Sequence, residues 1–318
     1  MRALIAAFVL AATLSGQTDP VRTVVDRLDI AQFKAHIKGL ARFGDRMQGT
    51  QRNRDAIDWL EEQLRSFGYT SVVREKFQQN TGPLENIYAT KAGSTTPGEM
   101  YLVSAHLDGI GGGQAADDDA SGCALVLELA RVLATPGVRT DRSVRFAFWN
   151  SEETGMDGSF AYVRDRVSRW IPGEPKLLGV IQHDMMLYDH GMPPGPRQSP
   201  QADINVEYQA DSAKAAASAQ LAAALVTANR TFGGEYPAVI GSNMAGTDSV
   251  RFQGLAPSVS VREAERIKGI LMGSNPHHHE PTDNYDTYSE EDFRLGFTAA
   301  KMTLGALGRL AGITVAPK

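Results

Sequence analysis

The chain has 318 residues, 42% of them hydrophobic and 22% charged, enough apolar material for a large buried core in one α/β domain. A net charge of -5 supplies no basic surface for nucleic acid or an anionic membrane. The lone cysteine, Cys123, excludes an intramolecular disulfide and reads as a small buried hydrophobe.

At the amino end, Arg2 is the first charge, and the next is Asp19. Between them Ala3 to Leu14 is apolar apart from Thr13, and small residues, Ser15 and Gly16, precede a polar QTDP. That layout predicts a secretory signal peptide over residues 1–16. The run is shorter than the ~20 residues a bilayer span needs, and no cysteine stands nearby for a lipid anchor. The expected product is exported, periplasmic or extracellular, with a single domain over residues 17–318; the sequence favours a monomer without fixing the oligomeric state.

Helical periodicity runs from Arg22 to Arg42 and again, more cleanly, from Arg52 to Phe67, where Gly68 stops it. Strands are expected at Ser71 to Phe77 and Asn86 to Lys91, a turn at Ser94 to Gly98, and a central strand at Met100 to Ala105. That strand delivers His106 and Asp108, then a glycine-rich turn, then Asp117, Asp118 and Asp119, then an apolar helix ending before Pro136. Three adjacent carboxylates repel one another and resist burial unless cations offset them. A divalent ion at the carboxyl end of a sheet strand would relieve the conflict; a solvated helix cap is the plainer alternative.

The pattern then repeats. Ser143 to Asn150 alternates as a strand and ends in Glu152 and Glu153; a helix is expected from Ser159 to Ser168. Lys176 to Gln182 is a further strand, ending in His183 and Asp184. Helices between these strands predict βαβ units and a parallel core. A proline-rich loop occupies Gly191 to Gln201. Ile204 to Tyr208 and Pro257 to Val261 read as strands, and Asp211 to Arg230 as an outer, alanine-rich helix. A polar loop carrying HHHEPTDNYD precedes a last helix that starts at Ser289.

The strand-end groups are His106, Asp108, Asp118, Glu152, Glu153 and Asp184, with one histidine from His277 to His279. They form an oxygen- and nitrogen-rich set without thiolates, suited to Zn²⁺, Co²⁺ or Mn²⁺. Gly111 to Gly113 lacks the lysine of a phosphate loop and reads as a turn, and no Gly-x-Ser-x-Gly elbow is present. His183 reads as a packed histidine, and His277 and His278 as exposed loop residues.

Five blocks in order carry a family resemblance: His106-x-Asp108, ADDDASG from Ala116 to Gly122, Glu152-Glu153, Asp184-Met185, and His279-x-Pro281-x-Asp283. Between about Thr50 and Tyr288 the chain resembles the M28 family of zinc aminopeptidases. The resemblance implies a three-layer α/β/α sandwich around a mixed, largely parallel central sheet, and two zinc ions acting on a peptide substrate. One ion would take His106, Asp118 and Asp184, the other Asp118, Glu153 and His279. Glu152 matches the general base. Asp108 is the acid expected to orient His106 through its other ring nitrogen, and Asp283 the one expected to orient His279. The middle acid, Asp118, is the expected bridge, with the peptide after it often cis. Thr247-Asp248-Ser249 stands where many members have Ser-Asp-His, which leaves a relay role there open. Two other readings remain: a glutaminyl cyclase-like transferase on the same fold, and a binding module that has lost its metals.

Overall fold

The computed structural model describes residues 19–168, 171–189, 204–266, 271 and 275–316; the expected signal peptide and the proline-rich loop lie outside the described residues. The first helical stretch divides in two. Asp19 accepts the Val21 N–H and opens α1, Pro20–Val25; Asp29 accepts the Ala31 N–H and opens α2, Ile30–Ala41. Each aspartate satisfies an N–H that has no partner within its helix, which is why the break falls between Val25 and Ile30. Thr50 caps α3, Gln51–Ser66, whose Ala56, Ile57, Leu60 and Leu64 are buried along one face.

The strands follow as β1, Val72–Gln79; β2, Gly82–Lys91; and β3, Thr96–His106. The expected turn at residues 94–98 is therefore largely strand: Thr96 pairs with Arg142, and the register slips before Met100. Next come α4, Gly122–Leu133; β4, Val138–Thr140; β5, Arg142–Trp149; α5, Asp157–Tyr162; and β6, Lys176–His183. The chain continues with β7, Ile204–Glu207; α6, Ala215–Ala228; β8, Ala238–Gly241; and β9, Ser258–Arg262. It ends with α7, Glu290–Ala311, and β10, Ile313–Val315. Ser289 and Asp292 close a reciprocal capping box at the start of α7.

Eight strands form one sheet in the order β1-β2-β5-β3-β6-β9-β7-β8, while β4 and β10 pair separately. The four middle strands, β5, β3, β6 and β9, run parallel, and antiparallel pairs occur at β1/β2, β2/β5 and β7/β9. The sheet is thus mixed and mostly parallel at its centre, as expected. Alternation along the strands sorts side chains to two faces. Val103, Ala105, Phe146, Phe148 and Ile181 join the large core that includes α2, α4 and α7. Leu102, Ala147, Trp149 and Val180 join a smaller one with Tyr162 of α5 and Phe252. Helical layers on both faces force polar groups to the strand ends, where β3, β5, β6 and β9 finish side by side. Among the described residues no helix is long and apolar enough to cross a membrane.

Candidate metal centre

His106 is the last residue of β3 and is buried. Its Nδ1 lies 2.9 Å from the backbone carbonyl of Asp108. A carbonyl only accepts, so Nδ1 carries the proton and Nε2 presents a lone pair to the cleft. The expected contact with the Asp108 carboxylate is not the orienting one, since its nearer oxygen is 3.9 Å from the ring. Instead that carboxylate accepts the N–H groups of Glu152 and Glu153, at 3.1 and 3.3 Å. Asp108 therefore holds the turn that follows β5.

The three adjacent acids divide their work, and burial explains how. Asp117 accepts the Leu187 N–H at 2.7 Å and the Asn275 side-chain amide at 2.8 Å. Asp119 accepts the N–H groups of His106, Gly122 and Met185. Both outer acids are thus turned into the protein as backbone acceptors. Of the three, Asp118 reaches both histidines: Oδ1 is 3.0 Å from His106 Nε2 and Oδ2 is 3.1 Å from His279 Nε2, while Asp119 Oδ2 stays 4.0 Å from His106 Nε2. The Asp118–Asp119 peptide is cis.

His279 arrives from the loop before α7, with Glu153 Oε2 at 2.9 Å from its Nε2. Asp184, just past β6, places Oδ1 at 3.8 Å from His106 Nε2 and turns Oδ2 toward Arg262 at 3.1 Å. Asp283 does not contact His279. Its carboxylate accepts the N–H groups of Asp117 and Asp118, at 2.9 and 3.1 Å, and the Tyr288 hydroxyl at 2.9 Å. It anchors the acidic turn, for the same reason that Asp108 anchors the glutamates: a buried carboxylate finds backbone donors. The glycine turn packs against the histidine loop. A Cβ at Gly111 would come within 2.6 Å of the His279 backbone, so only glycine allows the approach.

Charge follows this geometry. Burial disfavours the Asp118 carboxylate, yet its two histidine contacts outweigh that and hold it well below the usual range. Asp184 is likewise lowered against its burial, by Arg262 and His106. Burial raises Glu153 to about 7, and raises Glu152 well above the ordinary carboxylate range, with Asp248 and Asp184 among the acids adding to it. His279 is raised to about 10, because Asp118 and Glu153 outweigh its partial burial. His183 is driven down to about 3 by burial; its Nε2 lies 2.9 Å from the Thr303 hydroxyl, the packed histidine expected.

The donor set suits a divalent cation. His106, Asp118 and Glu153 place ligand atoms within 4.8 Å of one another, and so do Asp118, His278 and His279. Glu153 Oε1 is buried without a hydrogen-bond partner, an orphan that a cation would satisfy. His278 departs from its expected exposed place: it is partly buried, 3.5 Å from Asp118 Oδ2, and its ring lies over that of His279. His277 instead engages the Thr282 hydroxyl and the rings of Tyr188 and Tyr288.

Several contributors have no signal in the local pattern. Arg262 ends β9 and is fully buried beside Asp184 and Glu207; reading one residue past the strand at Pro257 to Val261 would have found it. Arg46 is buried and donates to the carbonyls of Leu107, Gln114 and Ala115, bracing the glycine turn. Asn53 and Asn150 exchange side-chain hydrogen bonds behind the Glu152 turn. Asp248 is buried and bonded to Ser159, with burial raising it to about 7, while Ser249 pairs with Ser260. Cys123 is buried with Sγ at 3.0 Å from the His106 carbonyl. The ligand groups and Glu152 open on a cleft of about 240 Å³.

The chain is similar to known proteins in sequence and in fold. The chain is 28% identical over 166 residues to leupeptin-inactivating enzyme 1 of Streptomyces exfoliatus, covering 50% of this chain and 36% of that protein. It is 34% identical over 102 residues to human carboxypeptidase Q, covering 31% of this chain and 22% of that protein. The matches thus span about a third or less of these relatives' own lengths. Among solved structures, an aminopeptidase from Aneurinibacillus sp. strain AM-1 superposes with a TM-score of 0.71 at 16% identity, covering 94% of this chain and 98% of that one. A glutaminyl cyclase from Porphyromonas gingivalis gives 0.71 at 20% identity, covering 89% and 99%. At such identities these likenesses speak for the fold. The model of peptidase family M28 matches residues 86–300, a span that holds both histidine blocks and every acid of the cleft described above, and the chain belongs to that metallo-hydrolase family.

Proposed function

We propose that the protein is an exported two-zinc exopeptidase that releases N-terminal residues from peptides. The observation that carries this reading is Asp118, whose two carboxylate oxygens face two different histidines, His106 and His279. A carboxylate shared in this way suits a bridge between two ions, with Asp184 completing one set and Glu153 the other. Zinc held there would acidify a water and polarise the scissile carbonyl.

The remaining work belongs to the chain. Glu152 lines the cleft and takes the proton from water, then passes it to the leaving nitrogen as the C–N bond breaks. Burial and facing acids make its carboxylate basic enough for that task. Asp108 keeps Glu152 and Glu153 aimed by holding their N–H groups, and Nδ1 of His106 stays protonated on the Asp108 carbonyl. Export rests on the leader-like residues 1–16.

The test compares a leucyl anilide with its N-acetylated form, using purified protein of measured zinc content. Cleavage of the free amine alone is expected; equal cleavage of both would remove the amino-terminal reading. Ammonia release from a glutaminyl peptide, without peptide-bond hydrolysis, would instead favour a cyclase.

A further inference from the structure

The cleft lining contains Arg266, its only lysine or arginine among the described residues. Among those residues no carboxylate forms an ion pair with its guanidinium. Glu207 lies within electrostatic reach but is engaged elsewhere. Its Oε2 is 3.6 Å from Arg262 Nη1, and its Oε1 accepts the backbone N–H of Arg266 at 3.2 Å.

The guanidinium also has a fitted seat. Gly246 lines the same cleft at a φ of +58°, and a Cβ there would lie 2.9 Å from Arg266 Nε and 3.0 Å from Nη2. The bare α-carbon of Gly246 is what lets the planar group lie against the wall.

Charge balance then points to an anion. Asp118, Glu152, Glu153 and Asp184 are the carboxylates of the lining, and two divalent ions would offset all four. Arg266 is left as surplus positive charge in a partly enclosed cleft. The side chains of Met156 and Met185 supply the apolar part of the lining beside these charged groups.

We propose that Arg266 selects substrates bearing a carboxylate near the scissile bond, either the α-carboxylate of a dipeptide or an acidic side chain. A guanidinium fork matches a carboxylate with two parallel hydrogen bonds, and an unpaired one in a narrow cleft is a receptor for that group. The proposal deepens the peptidase reading and rests on it.

The test measures kcat/KM for two matched pairs, Leu-Leu against Leu-Leu-amide and glutamyl anilide against glutaminyl anilide. Each pair is run with the wild type, Arg266→Gln and Arg266→Lys. In at least one pair the wild type should favour the charged member by about tenfold or more. Arg266→Gln should bring that ratio close to one, and Arg266→Lys should retain part of it. The first pair reports an α-carboxylate and the second a side chain. Calorimetric Kd values for phosphinic isosteres of the same pairs supply a readout independent of turnover. If the wild type cleaves none of the substrates, the peptidase reading fails while the Kd ratios still judge Arg266. Wild-type ratios near one in both pairs, or a preference that survives Arg266→Gln, would overturn the proposal.

Discussion

Asp108 turns its carboxylate to the backbone N–H groups of Glu152 and Glu153, and leaves the His106 ring to its own carbonyl. A side chain at the end of β3 thereby sets the direction of the turn after β5. The consequence is testable. Asp108→Asn replaces one acceptor oxygen by an amide that faces an N–H donor. We expect kcat to fall about 10–100-fold with the protein still folded. Unchanged kcat would mean that the turn holds its shape without Asp108.

Glu152 and Glu153 are neighbours with different surroundings: both line the cleft, and Glu153 lies 2.9 Å from His279. Glu152→Gln should keep zinc and lose ~10²–10⁴ in kcat, as loss of a general base does. Glu153→Ala should lose zinc. Zinc content measured beside kcat separates the two, and a Glu152→Gln enzyme of near-normal kcat would refute the assignment.

Asp283 and Tyr288 brace the acidic turn from beneath. Asp283→Ala removes the acceptor of two buried N–H groups, each worth about 1–3 kcal/mol when left unmade, and should loosen Asp118 as well. Denaturant unfolding should show a loss of that order, with reduced zinc retention. Tyr288→Phe removes one hydroxyl donor to the same carboxylate and should cost about 1 kcal/mol.

Arg262 is fully buried between Asp184 and Glu207. Arg262→Met would leave two buried carboxylates without their cation, a change that costs about 3–5 kcal/mol in comparable settings. The measurement belongs on chelated protein, where no ion offsets Asp184. A loss below 1 kcal/mol would show that water already reaches these acids.

Chelation should abolish activity and lower the melting temperature while far-UV circular dichroism persists. The helices and sheet hold separate apolar cores away from the cleft. Bound ions add stability by mass action, about 4 kcal/mol at a thousandfold excess over Kd. Collapse of secondary structure on chelation would mean that the ions hold the fold itself.

The long elements were legible because their physics is local. The stripe of Ala56, Ile57, Leu60 and Leu64 announces α3, and Ser289 with Asp292 announces the start of α7. His106, Glu152 and Asp184 stood out as chemistry placed just past apolar strands. The short strands β4, β8 and β10 did not, whereas β7, equally short but wholly buried, did. Thr96 joins β3 through pairing with Arg142, which no local pattern encodes.

By itself, then, the sequence determined which residue types reach the carboxyl edge of a parallel sheet, because burial on both faces expels polar groups to strand ends. Which of three adjacent aspartates meets the histidines was named beforehand only through the family resemblance, and its physical cause lies in the tertiary structure. Leu187 and Asn275 claim Asp117, and His106, Gly122 and Met185 claim Asp119. The tertiary structure alone decided the contacts of Asp108, Asp283, His278, Arg262 and Arg266, whose partners come from elements distant in the chain. A buried carboxylate takes whatever donors the fold brings within about 3 Å, and those donors exist only once the layers have packed.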